Sequence, residues 1–569
     1  MTRFKSGILG VLLVTSAVLV PSLAFAGDAV LRRFNSGAGA DAVGMVDASE
    51  DTEVAGPQAI YAGEGNEVFL LDQVNARVLS FDTRRPDAQT RAFRLPEALE
   101  PTDLVVKKGE IFVWDGSVHA LRPTGADDAP TRGLAEYQTR GVDDPFMVSA
   151  FSQMGSQRPG EESDLLNENT RSLSQQQQQR GAPPKQYVNS RGRGPVVVNV
   201  VPDADKAGAI VEVQAQGQAG ALAKLQIRVR DRLGALEFLD IDRQGRMFVL
   251  GENIPLAGEG ASAFVARFAA GGKLEGVYEL PLSQSVALSR RYVTVSDTGD
   301  VYFLRTRQAS VDVLGVGFRP LRAKVIDTRP QPAASDLPGW KTGKGPIAAT
   351  LPLSRQRVIE TAFAFEGVRW QLSQAAYGGD PDSACAGFNR IRRPSYLHGK
   401  LGQEVRGIPY CWGCHGALGK IRDKINRGML AGNVCTRNAP RTDVVGVDCS
   451  AFVSAAWGLA THFTTMAIPA ITHRLENPWD LQPGDALNKP GSHVMLFMRF
   501  TPDRKVEVME ASPGACNGRV CRNVYPLASV LARGYAPVRY RALANEAVAK
   551  VVLPEQQQPN ARAQKRQTR

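Results

Sequence analysis

From residue 57 to 330 the apolar positions come in short alternating runs separated by Gly-containing turns. Ile60 begins IYAGEGNEVFLLD, Leu104 begins LVVKKGEIFVWD, Leu239 begins LDIDRQGRMFVLG and Val293 begins VTVSDTGDVYFLR. Each reads as a strand, a tight turn and a second apolar strand, with Leu239 and Ile241, then Met247 and Val249, keeping the period of two. Gly109, Gly245 and Gly299 occupy the same place in their hairpins, where the chain needs a positive φ. Further strand-like sequence follows, as in ARVLSFD from Ala76 and FVARFAAGGKLEGVYELPL from Phe264.

Hairpins that recur with extra strands after them predict four-stranded blades. Residues 57–330 thus resemble an NHL-like β-propeller. Four hairpins are clear; a six-bladed ring needs weaker blades around 196–230 and 310–330. Residues 27–56 form an N-terminal segment ahead of it. The stretch 130–194, with Gln175 to Gln179 and few apolar residues, is expected to be a disordered insertion. Residues 331–353 read as a linker, and 546–569 as a disordered basic tail.

The pattern changes after residue 354. Ser354 heads a helical run, RQRVIETAFAFEG, ending at Gly367, and VDCSAFVSAAWGL from Val447 places Cys449 just ahead of an apolar helical stripe. Asp448 and Ser450 are suited to the open amides of that helix start. A cysteine there feels the positive helix end, which favours its thiolate. Of six histidines, His493 stands in the most informative place. LQPGDALNKPGSHVMLFMRF gives a turn, a loop and a strand beginning at His493. A second strand, KVEVMEAS, brings Glu510 to hairpin distance, where a carboxylate is able to orient imidazole. Nucleophile at a helix start, base on a strand and an acidic orienter form a Cys–His–Glu set.

Three segments carry a second resemblance. DCSAFV (448–453), GIPYCWG (407–413) and LQPGDAL…SHVMLF (481–497) are similar, in order and spacing, to the motifs of NlpC-type cysteine peptidases. That resemblance covers 354–545 and implies a papain-like α+β domain that cleaves peptide stems of peptidoglycan. It carries the nucleophile onto Cys449, the base onto His493, a site-lining role onto Tyr410 and Trp412, and a hold on a substrate amine onto Asp448 and Ser450. Ala451 departs from the usual Gly. The third catalytic position, usually His, Asn or Gln, falls on Glu510.

The segment IPYCWGCH (408–415) also fits the C-x-x-C-H of haem attachment and the C-x-x-C of redox proteins. The neighbouring peptidase motifs explain it better, so its cysteines are expected to be structural. No cofactor and no metal are expected.

All seven cysteines lie after residue 380, an odd number that leaves one thiol over. With Cys449 as that thiol, Cys516 and Cys521 are expected partners. Cys385, Cys411, Cys414 and Cys435 would supply two more bonds, in a pairing the sequence does not fix. Disulfides fit an exported protein. The start of the chain agrees: Arg3 and Lys5, an apolar run from Gly7 to Val20, then Ala24-Phe25-Ala26, a signal peptide over 1–26. No later apolar stretch is long enough to span a membrane. The net charge of +11 is scattered rather than striped, which argues against nucleic acid as partner and suits an anionic envelope polymer.

The expected function is an exported, periplasmic or extracellular, cysteine peptidase of peptidoglycan stems, with the propeller binding substrate or a partner protein. The alternatives are a non-catalytic envelope scaffold and an amidase or acyltransferase of the same fold.

Overall fold

All four hairpins are present in the computed structural model. It describes residues 27–46, 53–85, 87–96, 99, 101–115, 118–123, 135–141, 186–218, 220–257, 260–329, 352–378, 391–435 and 442–544. The signal peptide (1–26), most of the linker, the tail from 546 and residues 142–185 of the insertion lie outside the described residues.

The hairpin turns form as their chemistry requires. Gly109, Gly245 and Gly299 have φ of +75°, +79° and +83°. In the third hairpin Asp242 accepts from the amides of Gln244 and Arg246, both at 2.9 Å, so its side chain closes the turn. Extended by further strands, the hairpins become meanders. One sheet joins two of them: Ala59–Ala62, Glu67–Asp72, Arg77–Asp82 and Arg91–Arg94, then Asp103–Lys107, Glu110–Trp114, Val118–Pro123 and Ala135–Gly141. Gln186–Ser190, Gly194–Pro202, Gly208–Ala215 and Ala223–Arg228 form the third. Arg232–Ile241, Met247–Ile254, Ser262–Phe268 and Leu274–Leu280 form the fourth. The first strands of successive meanders pack in a ring: Gln186–Ser190 on Arg232–Ile241, that on Val293–Val295, that on Ala59–Ala62, and that on Asp103–Lys107.

This is a β-propeller, with five blades among the described residues. Its last blade is Val293–Val295, Val301–Thr306 and Ser310–Gly315, completed by Ala29–Ser36 running antiparallel to Ser310–Gly315. The propeller therefore begins before residue 57. The last blade is thus completed by a strand from the start of the domain. The weak region around 196–230 is a full blade. The one around 310–330 instead supplies a strand to the last blade and an edge strand, Phe318–Pro320, to the fourth. Both ends of the expected insertion also carry strands, Ala135–Gly141 and Gln186–Ser190. Arg191 pins the ring from within: it donates to Val295 O at 2.7 Å and Ala62 O at 2.5 Å, and meets Asp240 at 3.1 Å.

The C-terminal region combines helices with a six-stranded antiparallel sheet. Its order is Thr472–Arg474, Ala536–Tyr540, Ala486–Lys489, His493–Phe500, Val506–Ser512, Arg519–Tyr525. Helices Arg355–Gly367 and Cys449–Ala456 cover one face, with Phe365 edge-on to Phe452 at 5.6 Å. Alternation divides the sheet. Val494, Leu496, Met498, Met509 and Ala511 enter the helix-side core. Leu487, Met495, Phe497, Val506, Val508 and Tyr525 enter a core shared with propeller residues such as Phe248, Tyr292 and Phe303. Each such buried side chain contributes about 1.5–3 kcal/mol, so propeller and sheet are held as firmly as the layers of one domain. Polar contacts cross the same seam: Ala528 N donates to Glu252 Oε1 at 2.8 Å, and Arg504 Nη1 to Leu233 O at 2.7 Å.

Among the described residues no helix is long and apolar enough to cross a membrane.

Candidate active site

The helix Cys449–Ala456 starts where it does because Asp448 caps it. The Asp448 carboxylate accepts from Ala451 N at 2.7 Å, the N-cap geometry. Cys449 is then the first helical residue, at the positive end of the helix. It is fully buried and takes part in no disulfide.

The turn before His493 is equally explicit. Ser492 N donates to Lys489 O at 3.1 Å across Pro490 and Gly491, and Gly491 has φ +74°. Proline then glycine with positive φ is the type II turn. It delivers His493 to the first position of its strand. The LQPGD stretch works at a distance from the chemistry. Asp485 binds Arg355 at 3.0 Å and Arg539 at 2.7 Å, and Gly484 O accepts from Trp457 Nε1 at 2.8 Å. It thereby ties the helix Cys449–Ala456 to the sheet.

His493 lies between Cys449 and Glu510. Its Nε2 meets Glu510 Oε2 at 2.6 Å, leaving Nδ1 for the side-chain hydrogen bond with Cys449. The other Glu510 oxygen accepts from Asn523 Nδ2 at 2.6 Å and Tyr525 OH at 2.8 Å. Burial opposes charge on the imidazole, but the Cys449 and Glu53 charges and the Cys449 and Glu510 hydrogen bonds raise its pKa well above the ordinary value. Burial likewise opposes the Glu510 carboxylate. His493, Asn523 and Tyr525 overcome it and hold its pKa below the ordinary range. Tyr535 stands edge-on over the imidazole, ring centroids 6.3 Å apart.

Strand register explains the convergence. Leu496 opposes Met509 and Phe497 opposes Val508, while Glu510 opposes Cys521 and Val508 opposes Asn523. His493, Glu510, Ser512, Asn523 and Tyr525 therefore share the sheet face that the propeller covers. Arg290 of the propeller donates to Asn523 Oδ1 and lies 4.9 Å from the centre of the Tyr525 ring, so it grips both residues that hold Glu510.

A second carboxylate reaches the same place from the propeller. One polar side-chain atom each of Glu53, His493 and Glu510 lies within 4.8 Å of the other two. Ser512 Oγ donates to Glu53. Burial pushes its carboxyl above the ordinary value, against the pull of His493. A metal ion at this cluster would have to take Nε2 of His493 from Glu510, whose two oxygens already serve three donors.

Asp448 and Ser450 sit on the other side of Cys449, and their polar atoms are engaged within the fold. Asp448 accepts from Gly413 N at 3.0 Å as well as from Ala451 N, and Ser450 Oγ lies 3.0 Å from Asp448 and 2.7 Å from His462 Nε2. The His462 ring stacks on His415 at 5.5 Å. Both Asp448 and Ser450 are buried, so a substrate amine there would have to displace these partners. Tyr410 is buried in a parallel bridge to Val447, and Trp412 is half-buried.

Cys411 and Cys414 bond to each other, as do Cys516 and Cys521, and Cys435 is also disulfide-bonded; Cys385 lies outside the described residues. The first bond takes up both sulfurs that haem attachment would use. Glu53, Asn523, Tyr525, Tyr535, His462 and Arg290 are not prominent in the sequence. Asn523 and Tyr525 were legible in principle, since they continue the alternation from Cys521 on the strand beside Glu510.

No protein-family model matches the chain, and no curated protein does. Solved structures that align with it include hydrazine synthase of Kuenenia stuttgartiensis, at 12% identity over 46% of this chain and 78% of that one, TM-score 0.23. A streptogramin B lyase aligns at 10% identity over 52% of this chain and 100% of that one, TM-score 0.22. The PQQ-bound aldose sugar dehydrogenase of Streptomyces coelicolor aligns at 10% identity over 52% and 99%, TM-score 0.21. At such scores the alignments carry no argument about activity, and the propeller stands on its own strand order.

Proposed function

We propose that the C-terminal region is a cysteine peptidase of papain-like type, acting on peptide stems of peptidoglycan outside the cytoplasm. The observation that carries this is the line from Cys449 through His493 to Glu510: a thiol at a helix start, an imidazole between thiol and carboxylate, and a carboxylate held by two further donors. In this reading the Cys449 thiol passes its proton to His493 and the sulfur attacks the amide carbonyl carbon. The carbonyl oxygen takes up negative charge beside the helix start at Cys449. The imidazolium of His493 then protonates the leaving amine, and Glu510 keeps the ring aligned through Nε2. Water, deprotonated by the same imidazole, releases the acyl group from the thioester. The peptidoglycan assignment rests on the DCSAFV, GIPYCWG and LQPGDAL motifs, and export on the signal-like start and the disulfides. The propeller is proposed to bind substrate or a partner protein.

The test is digestion of purified peptidoglycan and soluble stem peptides by the mature chain beside its Cys449→Ala variant, read by mass spectrometry. Products that require Cys449 are expected, and their masses distinguish peptidase from amidase. One observation favours a second reading, a non-catalytic scaffold: Cys449, His493 and Glu510 are all at most 1% exposed. If no digest contains products and Cys449 resists thiol-directed electrophiles in every variant, that reading stands.

A further inference from the structure

We propose that Glu53 occupies a carboxylate-binding pocket beside Cys449, so that the propeller supplies an internal occupant which a carboxylate-bearing ligand must displace. The proposal extends the reading of Cys449 as a nucleophile but rests on the pocket's own construction.

The partners of Glu53 come first. Ser512 Oγ donates to its carboxylate, and the Ala515 amide and the His493 charge also favour its ionised form. Lys489 contributes a further positive charge nearby, mostly buried, that interacts with Glu53. All four belong to the C-terminal sheet and its turns, and Ser512 is 459 residues away in sequence. The loop meets the propeller elsewhere, through the backbone bridge between Val46 and Ala55 and through Ala59–Ala62, the first strand of the first blade. The carboxylate thus inserts into a receptor built by another part of the molecule.

The receptor is preformed. Ser512 Oγ accepts from Ala515 N at 2.9 Å, which aims its proton at Glu53. The Cys516–Cys521 disulfide closes the turn that carries Ala515. A fixed hydroxyl, a nearby amide and two cationic side chains face the carboxylate, against the opposing charge of Glu510 in the same cluster.

The alternatives fit less well. As a catalytic group Glu53 would duplicate Glu510, which already holds His493 Nε2. As a metal ligand it would need His493 to leave Glu510. As an occupant it explains why His493 and Glu510 are buried on the sheet face that the propeller covers.

The experiment uses the full mature chain, wild type and Glu53→Ala, with thermal unfolding measured in acetate against chloride of equal ionic strength. Acetate is expected to raise the midpoint of Glu53→Ala by refilling the pocket, and to leave wild type unmoved. An equal response in both proteins, or none in the variant, overturns the proposal. Stabilisation of wild type by zinc that disappears in Glu53→Ala also overturns it, in favour of a metal centre. Should Glu53→Ala fail to fold, Glu53→Gln serves with a kinetic readout. Iodoacetate and iodoacetamide differ chiefly in the carboxylate. Removing the Glu53 charge is expected to raise the ratio of their labelling rates at Cys449 by about tenfold, since like charges no longer oppose each other in the pocket. An unchanged ratio counts against the pocket. A variant that responds to acetate while Cys449 stays inert to both reagents sinks the peptidase reading and leaves the pocket standing.

Discussion

The two faces of the C-terminal sheet carry their buried polar groups differently. The helix-side face offers apolar Val494, Leu496, Met498, Met509 and Ala511, with buried Arg522 reaching Glu366 of the helix Arg355–Gly367 at 3.1 Å. The propeller-side face offers apolar Met495, Phe497, Val506 and Val508 along its length, then His493, Glu510, Ser512, Asn523 and Tyr525 together at one end. The difference teaches that burial here serves two ends: on the helix side it holds an ion pair that ties a helix to the sheet, and on the propeller side it gathers polar groups about one imidazole–carboxylate contact.

The comparison breaks most sharply at His493. His493→Gln should cut iodoacetamide labelling of Cys449, and any hydrolysis, by about a thousandfold, the scale of losing a triad base. Leu496→Ala, on the opposite face of the same strand, should cost about 2–5 kcal/mol in denaturant unfolding and leave labelling unchanged where the protein stays folded. If the two substitutions gave the same pattern, the division of labour would be wrong. Glu510→Gln keeps an acceptor for Nε2 but removes the charge, and about a hundredfold slower labelling is expected, within the range of acid–base effects. Arg290→Met loosens the grip on Asn523 and Tyr525 from the propeller side. A loss of roughly threefold is expected, about the worth of one surrendered hydrogen bond, with a shifted pH profile as the sign that Glu510 has moved.

The smallest effect is in stability against pH. His493 has a raised pKa in the folded chain, so its contribution is full below its ordinary 6.5 and is lost as pH rises through the raised value. Glu510 has a lowered pKa, so its contribution is present above its ordinary 4.5 and is lost as pH falls through the lowered value. The advantage of wild type over His493→Gln/Glu510→Gln should therefore be greatest between 4.5 and 6.5 and shrink on both sides. Thermal unfolding across that range checks it, and an advantage that grew above 6.5 would reverse the assigned sign.

Much of this was legible along the chain because the signals are local. The strand–Gly–strand runs at Leu104, Leu239 and Val293 announce their hairpins from a few residues each. Cys449, His493 and Glu510 each carry a local mark, a helix start or a strand, and the fold brings them together. What stayed hidden depends on partners far off in sequence. Nothing in AVLRRFNS says that Ala29–Ser36 will pair with Ser310–Gly315, since an edge strand reads the same whichever sheet it joins. Gln186–Ser190 was hidden by the polar stretch before it. Glu53 lies in a short acidic run that resembles any solvated loop, and only the pocket at Ser512 gives it meaning. Asp448 and Ser450, by contrast, stand where the helix start predicts, and their side chains serve the local fold through Gly413, Ala451 and His462.

The closure of the last blade by Ala29–Ser36 also sets an order of events. A chain that folds from its beginning can complete the ring once Gly315 is available, with the Glu53 loop then tethered on both sides by strands of finished blades. Cys449 comes much later along the chain. The sheet that carries His493 must assemble against a propeller already holding out its carboxylate. On that timetable Cys449 and His493 would come together with Glu53 already in place.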